Sequence, residues 1–161
     1  MKCRRAKVSR SEGAGADAGP GTGAAGAGAG AAGGVRLRLR LGIGDHVRFA
    51  GAVSPADVPR WVRACDVACL VSLREGFGLA AIEALACRRP VVVARDLPVA
   101  AAVREGVTGA LCAAEDVAEM AEALVRAAAL DPGEAARTAA EPYSLASETA
   151  RAVAVLEACR R

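Results

Sequence analysis

Two uninterrupted apolar runs constrain the fold more than any other feature. The segment Asp66 to Val71 reads Asp-Val-Ala-Cys-Leu-Val, and Pro90 is followed by Val91-Val92-Val93. A run without polar alternation suits a strand covered on both faces, the usual environment in a parallel sheet. Between the runs, Gly78 to Arg88 reads as a helix with Leu79, Ile82, Leu85 and Ala86 on one apolar stripe. Pro90 ends it. Strand, helix and strand in that order predict an α/β fold with parallel strands. The 161 residues suffice for one modest domain. With one Trp, one Tyr and two Phe in the chain, the core must be built from Val, Leu, Ile and Ala.

The flanking segments extend the alternation. Ser54-Pro55-Ala56-Asp57 is a helix-start signature, and Pro59 turns it into a short turn followed by a helix to about Ala64. Pro98 to Arg104 reads as a short helix closed by Gly106, and Ala110 to Cys112 as a small strand. Asp116 to Leu130 is amphipathic through Val117, Met120, Leu124 and Val125, and Asp131-Pro132-Gly133 stops it. Ser144 to Cys159 reads as a terminal helix with Leu145, Val153 and Leu156 facing inward. Upstream, Val47 to Phe49 reads as a short strand, with His46 in a surface or capping role. Val35 to Leu41 alternates like a strand, but Leu37, Leu41 and Gly42 equally suit a short helix with a glycine cap.

Residues 1–34 are basic at first and then almost wholly Gly and Ala. Such a tract buries too little surface to offset its ordering entropy, so a disordered tail is expected, with the folded unit over residues 35–161. A net charge of +3 is too small to point to nucleic acid. The six cysteines have no zinc spacing and there is one His, so buried free thiols in a reducing compartment are expected, with no metal. No run is long enough to span a bilayer. The cytoplasm is the expected location, with organelle targeting left open by the basic N-terminus.

The chemistry lies in Glu75-Gly76-Phe77-Gly78-Leu79-Ala80-Ala81-Ile82-Glu83. Glycines at 76 and 78 allow positive φ and close approach of the backbone to a ligand. The first N–H groups of a helix starting near Gly78 lack helical partners and favour an anion such as a diphosphate. Glu75 and Glu83 suit the hydroxyl-rich groups on either side of it, since a carboxylate can accept from a diol. On those residues alone, a Gly-x-Gly between strand and helix is most often a simple turn.

A longer series changes that balance. Val47-Arg48-Phe49-Ala50-Gly51, Asp66-Val67-Ala68, Ser72, Glu75-Gly76-Phe77-Gly78-Leu79, Glu83-Ala84, Pro90-Val91-Val92-Val93 and Glu105-Gly106-Val107-Thr108-Gly109 follow in order. Together they resemble the C-terminal donor-binding domain of retaining GT-B glycosyltransferases of the group 1 (family 4) class, over roughly residues 41–130. The resemblance implies a Rossmann-like, doubly wound parallel sheet and transfer of a glycosyl group from a nucleotide sugar to an acceptor. It implies that Glu75 is catalytic beside the transferred sugar. It likewise implies that Gly76, Phe77, Gly78 and Leu79 line the donor, that Glu83 holds the ribose diol, and that Ala52 and Val53 lie near the base. The nucleotide sugar is a co-substrate, and the class needs no metal.

The chain also departs from the pattern. Nothing before residue 35 matches the two opening strands and the basic, phosphate-gripping loop of that domain, and Arg88-Arg89 stands where Gly-Thr is usual. Because the two strands belong in the middle of the sheet, the resemblance implies a partial domain. Its sheet is expected to hold the three later strands, with Val47–Phe49 displaced or re-paired. The alternative to a working transferase is a non-catalytic remnant, or a module completed by a partner chain.

Overall fold

The computed structural model describes residues 36, 37 and 39–159. The expected tail over residues 1–34, Cys3 included, lies outside them. The chain divides into two units, residues 1–52 and 53–161.

In the first unit, residues 36, 37, 39 and 40 are helical. The Leu41 N–H donates to the Leu37 carbonyl (3.0 Å), and Gly42 follows at φ 66°. Of the two readings of Val35–Leu41, the described residues follow the glycine-capped helix and not the strand. A 3-10 turn spans Gly44–His46, and Val47 is extended. The expected strand at Val47–Phe49 is not assigned as one. The segment lies between that turn and Gly51 at φ 71°, and the sheet among the described residues is built from three other segments.

The second unit is built on strands β1 (Ala68–Leu70), β2 (Val91–Ala94) and β3 (Gly109–Cys112). They run parallel in the order β1-β2-β3, with Ala68 opposite Val91 and Val91 opposite Gly109. This is the expected sheet of three later strands. Helix α1 (Val58–Ala64) follows a turn in which the Ser54 hydroxyl donates to Asp57 (2.7 Å). Helix α2 (Leu79–Ala86) links β1 to β2, and a 3-10 helix (Pro98–Ala102) lies between β2 and β3. Helices α3 (Val117–Ala128), α4 (Gly133–Ala140) and α5 (Leu145–Ala158) complete the unit.

Strand β2 is buried along its whole length, and its period of two divides the core. Val91 and Val93 join Ala81, Ile82, Ala84 and Leu85 of α2 and Ala136 and Ala140 of α4. Val92 joins Ala110, Cys112, Ala123 and Ala127 on the α3 side. With helices on both faces, this is the doubly wound α/β arrangement implied by the resemblance. Leu85 is fully buried, and trimming it to Ala would cost about 2–5 kcal/mol.

The corrections concern which faces are covered. The Asp66–Val71 run forms a strand of three residues with Cys69 exposed, because β1 ends the sheet and only β2 pairs with it among the described residues. On α2, Leu79 is 63% exposed while Ala81 and Ala84 turn inward. Val117 and Val125 of α3 are exposed, and Ala123 and Ala127 pack in their place. No residue of α5 is buried, and Leu145 is 84% exposed, Val153 47% and Leu156 65%. Among the described cysteines only Cys112 is buried. Helix α4, over a segment read only as a stop, packs mainly through alanines, whose small side chains give a weak periodic signal.

Candidate functional site

The loop from β1 to α2 occupies residues 71–78 at the carboxyl end of β1. In a doubly wound sheet, ligands bind beyond the carboxyl ends of the strands. Glu75 and Gly76 are exposed, and the Gly76 N–H donates to Glu75 Oε1 (3.2 Å). Phe77 is half-buried and packs on Tyr143, with ring centroids 5.2 Å apart and a 45° tilt. That contact ties the loop to the 3-10 turn Glu141–Tyr143 ahead of α5.

Gly78 is the N-cap of α2, with φ 101° and ψ 42°. A Cβ there would lie 2.7 Å from Val99 Cγ1 and 2.9 Å from Leu70 Cδ2. The position therefore requires glycine for its backbone angle and for its packing. The space left by the missing side chain holds core atoms; on that side the close approach is between protein segments. Gly76 has no heavy atom within 4 Å of an added Cβ and is not a positive-φ glycine. Its freedom from side-chain bulk leaves the solvent side of the loop open.

Glu83 lies one helical turn into α2 and is exposed. It lines a cavity of about 210 Å³ with Ile82, Ala86, Arg137, Ala140, Glu141, Tyr143 and Ser144. Arg137 and Ser144 were not singled out from sequence; they stand far along the chain and are brought to Glu83 by the packing of α4 on α2. Glu75 is not among the residues lining that cavity. Ala52 closes the first unit and Val53 opens the second, and both are exposed.

A second cleft, about 200 Å³, opens where the strands end, between Ser72 and Leu73 after β1, Ala94 at the end of β2 with Asp96 and Leu97 beyond it, and Ala113 to Glu115 after β3. Its frame is held by Glu119. That carboxylate pairs with Arg95 and accepts from the Ala113 N–H (2.8 Å), while Asp116 caps α3 by accepting from the Glu119 N–H (2.9 Å). The hydrogen bond from Arg95, followed by that from Ala113, holds the Glu119 carboxyl below its ordinary range. On β3's approach, Thr108 is fully buried and its Oγ1 accepts from the Arg104 N–H (2.8 Å).

Known proteins resemble this chain in sequence and in fold. A family model described as glycosyl transferases group 1 matches residues 24–141, more than half of the chain. A D-inositol 3-phosphate glycosyltransferase 2 of Catenulispora acidiphila is 46% identical over 83 residues, which cover 52% of this chain and 19% of the relative. A D-inositol 3-phosphate glycosyltransferase of Kribbella flavida is 43% identical over 92 residues, covering 57% and 22%. The chain thus spans about a fifth of the length of these curated relatives. Among solved structures, sucrose-phosphate synthase from Thermosynechococcus elongatus superposes with a TM-score of 0.66 at 26% identity, over 77% of this chain and 33% of the other. HepE of Anabaena, crystallised with UDP and glucose, gives a TM-score of 0.65 at 26% identity, over 76% and 35%. The match runs through the β1–α2 loop, the buried β2 and the Thr108 turn whose geometry is given above, and by it this chain belongs to the glycosyl transferases group 1 family.

Proposed function

We propose that this chain supplies the donor-binding part of a retaining glycosyltransferase that takes a nucleotide sugar. The observation that carries the reading is the β1–α2 loop. It is open to solvent through residues 73–76 and enters α2 through a left-handed Gly78. The free N–H groups at the start of α2 would meet the diphosphate, so that no metal is required. Gly76, Phe77, Gly78 and Leu79 would line the donor, and Glu83 would accept from the ribose diol. Glu75 would act at the transferred sugar, its carboxylate exchanging the Gly76 N–H for sugar hydroxyls. Ala52 and Val53 would lie near the base. The leaving phosphate would assist attack by the acceptor on the same face, so configuration is retained. That HepE was crystallised with UDP and glucose supports a uridine-type donor as the first to try. No helix among the described residues is long and apolar enough to cross a membrane, and the cytoplasm is the proposed location.

Calorimetric titration with UDP-, GDP- and ADP-sugars tests the reading. Saturable heat with one of them is expected, and Glu83→Ala should weaken it by about 10- to 100-fold through loss of charge-assisted hydrogen bonds. Silence with all three donors removes the donor site. Binding that is unmoved by Glu83→Ala removes the ribose role alone.

A further inference from the structure

At the far end of α2 from Gly78, two helical arginines and one just past the end of α2 face one cleft. Arg63 of α1, Arg88 after α2 and Arg137 of α4 line it with Ala86 and Cys87, and its volume is about 380 Å³. That size falls within the range of small-ligand sites. Arg88 pairs with Glu134 at the start of α4. Among the described residues, neither Arg63 nor Arg137 has a carboxylate within ion-pairing distance.

Helix ends account for part of this charge. Arg63 stands in the last turn of α1 and Cys87 caps α2, so two helix C-termini bring about half a negative charge each. The N-terminus of α4, marked by Glu134, returns about half a positive charge. Counting the three arginines, Glu134 and these helix ends, the cleft keeps an excess of roughly one to two positive charges, while Glu83 and Glu141 face Arg137 from the neighbouring cavity. Like charges gathered in one concavity repel unless an anion joins them.

We propose that this cleft is an oxyanion site for a phosphoryl group, either free phosphate or a small phosphomonoester. Planar guanidinium groups match phosphate oxygens with paired N–H donors, and several of them around one tetrahedral dianion is the arrangement that chemistry favours. The cleft shares Ala86 and Arg137 with the Glu83 cavity, whereas Arg63 belongs to the cleft alone, so Arg63→Gln separates the two sites. Helix α2 has eight residues, which places the cleft about 12 Å from Gly78.

The test is an NMR titration of the full chain at low ionic strength, reading the backbone amides of Cys87 and Arg88. Inorganic phosphate, glycerol phosphate and chloride are added in parallel at matched ionic strength. Saturable shifts with the two phosphates and none with chloride are expected. Tighter binding of the ester identifies an esterified ligand, and equal binding identifies the bare phosphoryl group. Arg63→Gln and Arg137→Gln should each weaken binding about tenfold. Arg60→Gln, on the same helix but outside the cleft, should change it less than twofold. Shifts that chloride reproduces overturn the proposal. So does saturable phosphate binding that ignores both substitutions, since the anion then sits elsewhere.

Discussion

Arg88 offers a direct measure of how much this fold spends on a residue that does not suit its backbone. It sits at φ 61°, and it is the one described non-glycine residue with positive φ. The Arg88 N–H donates to Leu85 O (2.8 Å) and the Arg89 N–H to Ala84 O (3.0 Å). That pair of bonds is the Schellman closure of α2, whose left-handed position usually holds glycine. A side chain there costs about 1–2 kcal/mol. Replacing it with glycine frees the unfolded chain by about 0.4–1 kcal/mol in the opposite direction. The pair with Glu134 is also lost; its side chains are 51% and 69% exposed, so it contributes no more than about 1 kcal/mol. Arg88→Ala loses the same pair but keeps the strained Cβ, so comparing the Gly and Ala variants isolates the backbone term. The Gly variant should be the more stable by roughly 0.5–1 kcal/mol. For a urea slope of about 1–2 kcal/mol/M, its unfolding midpoint should be about 0.5 M higher. An Ala variant that unfolds at the same urea concentration or later would refute the strain argument.

Other substitutions probe the frame of the site. Gly78→Ala combines left-handed strain with contacts on Val99 and Leu70, and should cost roughly 3 kcal/mol in urea unfolding together with the loss of donor binding. Gly109→Ala should fail to fold, because its Cβ would lie 2.1 Å from the Val91 carbonyl oxygen across the β2–β3 ladder; a soluble variant with an unchanged midpoint would contradict that packing. Thr108→Val leaves the Arg104 N–H without its acceptor and should lower stability by about 1–2 kcal/mol. Glu119 has a depressed pKa in the folded state, so its contribution is fully present above the unfolded value near 4.3 and is lost as pH falls through the folded one. The stability gap between wild type and Glu119→Gln should therefore be constant near neutral pH and close progressively below about pH 4.3 in acid titrations of thermal unfolding.

Local pattern alone determined a good deal here. The buried Val91–Val93 strand, the proline and glycine boundaries of α2 and the succession from β1 through α2, β2 and β3 to α3 follow from short-range rules: period, capping and backbone restriction. The loop at Glu75 to Gly78 was legible for the same reason, since a strand, a glycine turn and a helix start are contiguous in the chain. Tertiary structure alone decided which faces are covered. Leu79, Leu145 and Leu156 have the spacing of core residues yet lie exposed, while Ala81, Ala84, Ala136 and Ala140 are buried. Periodicity says that a helix has an apolar face, but whether another element lies against that face depends on packing between distant segments. The same holds for Arg63, Arg88 and Arg137, which are far apart in sequence and share a cleft only because three helices converge.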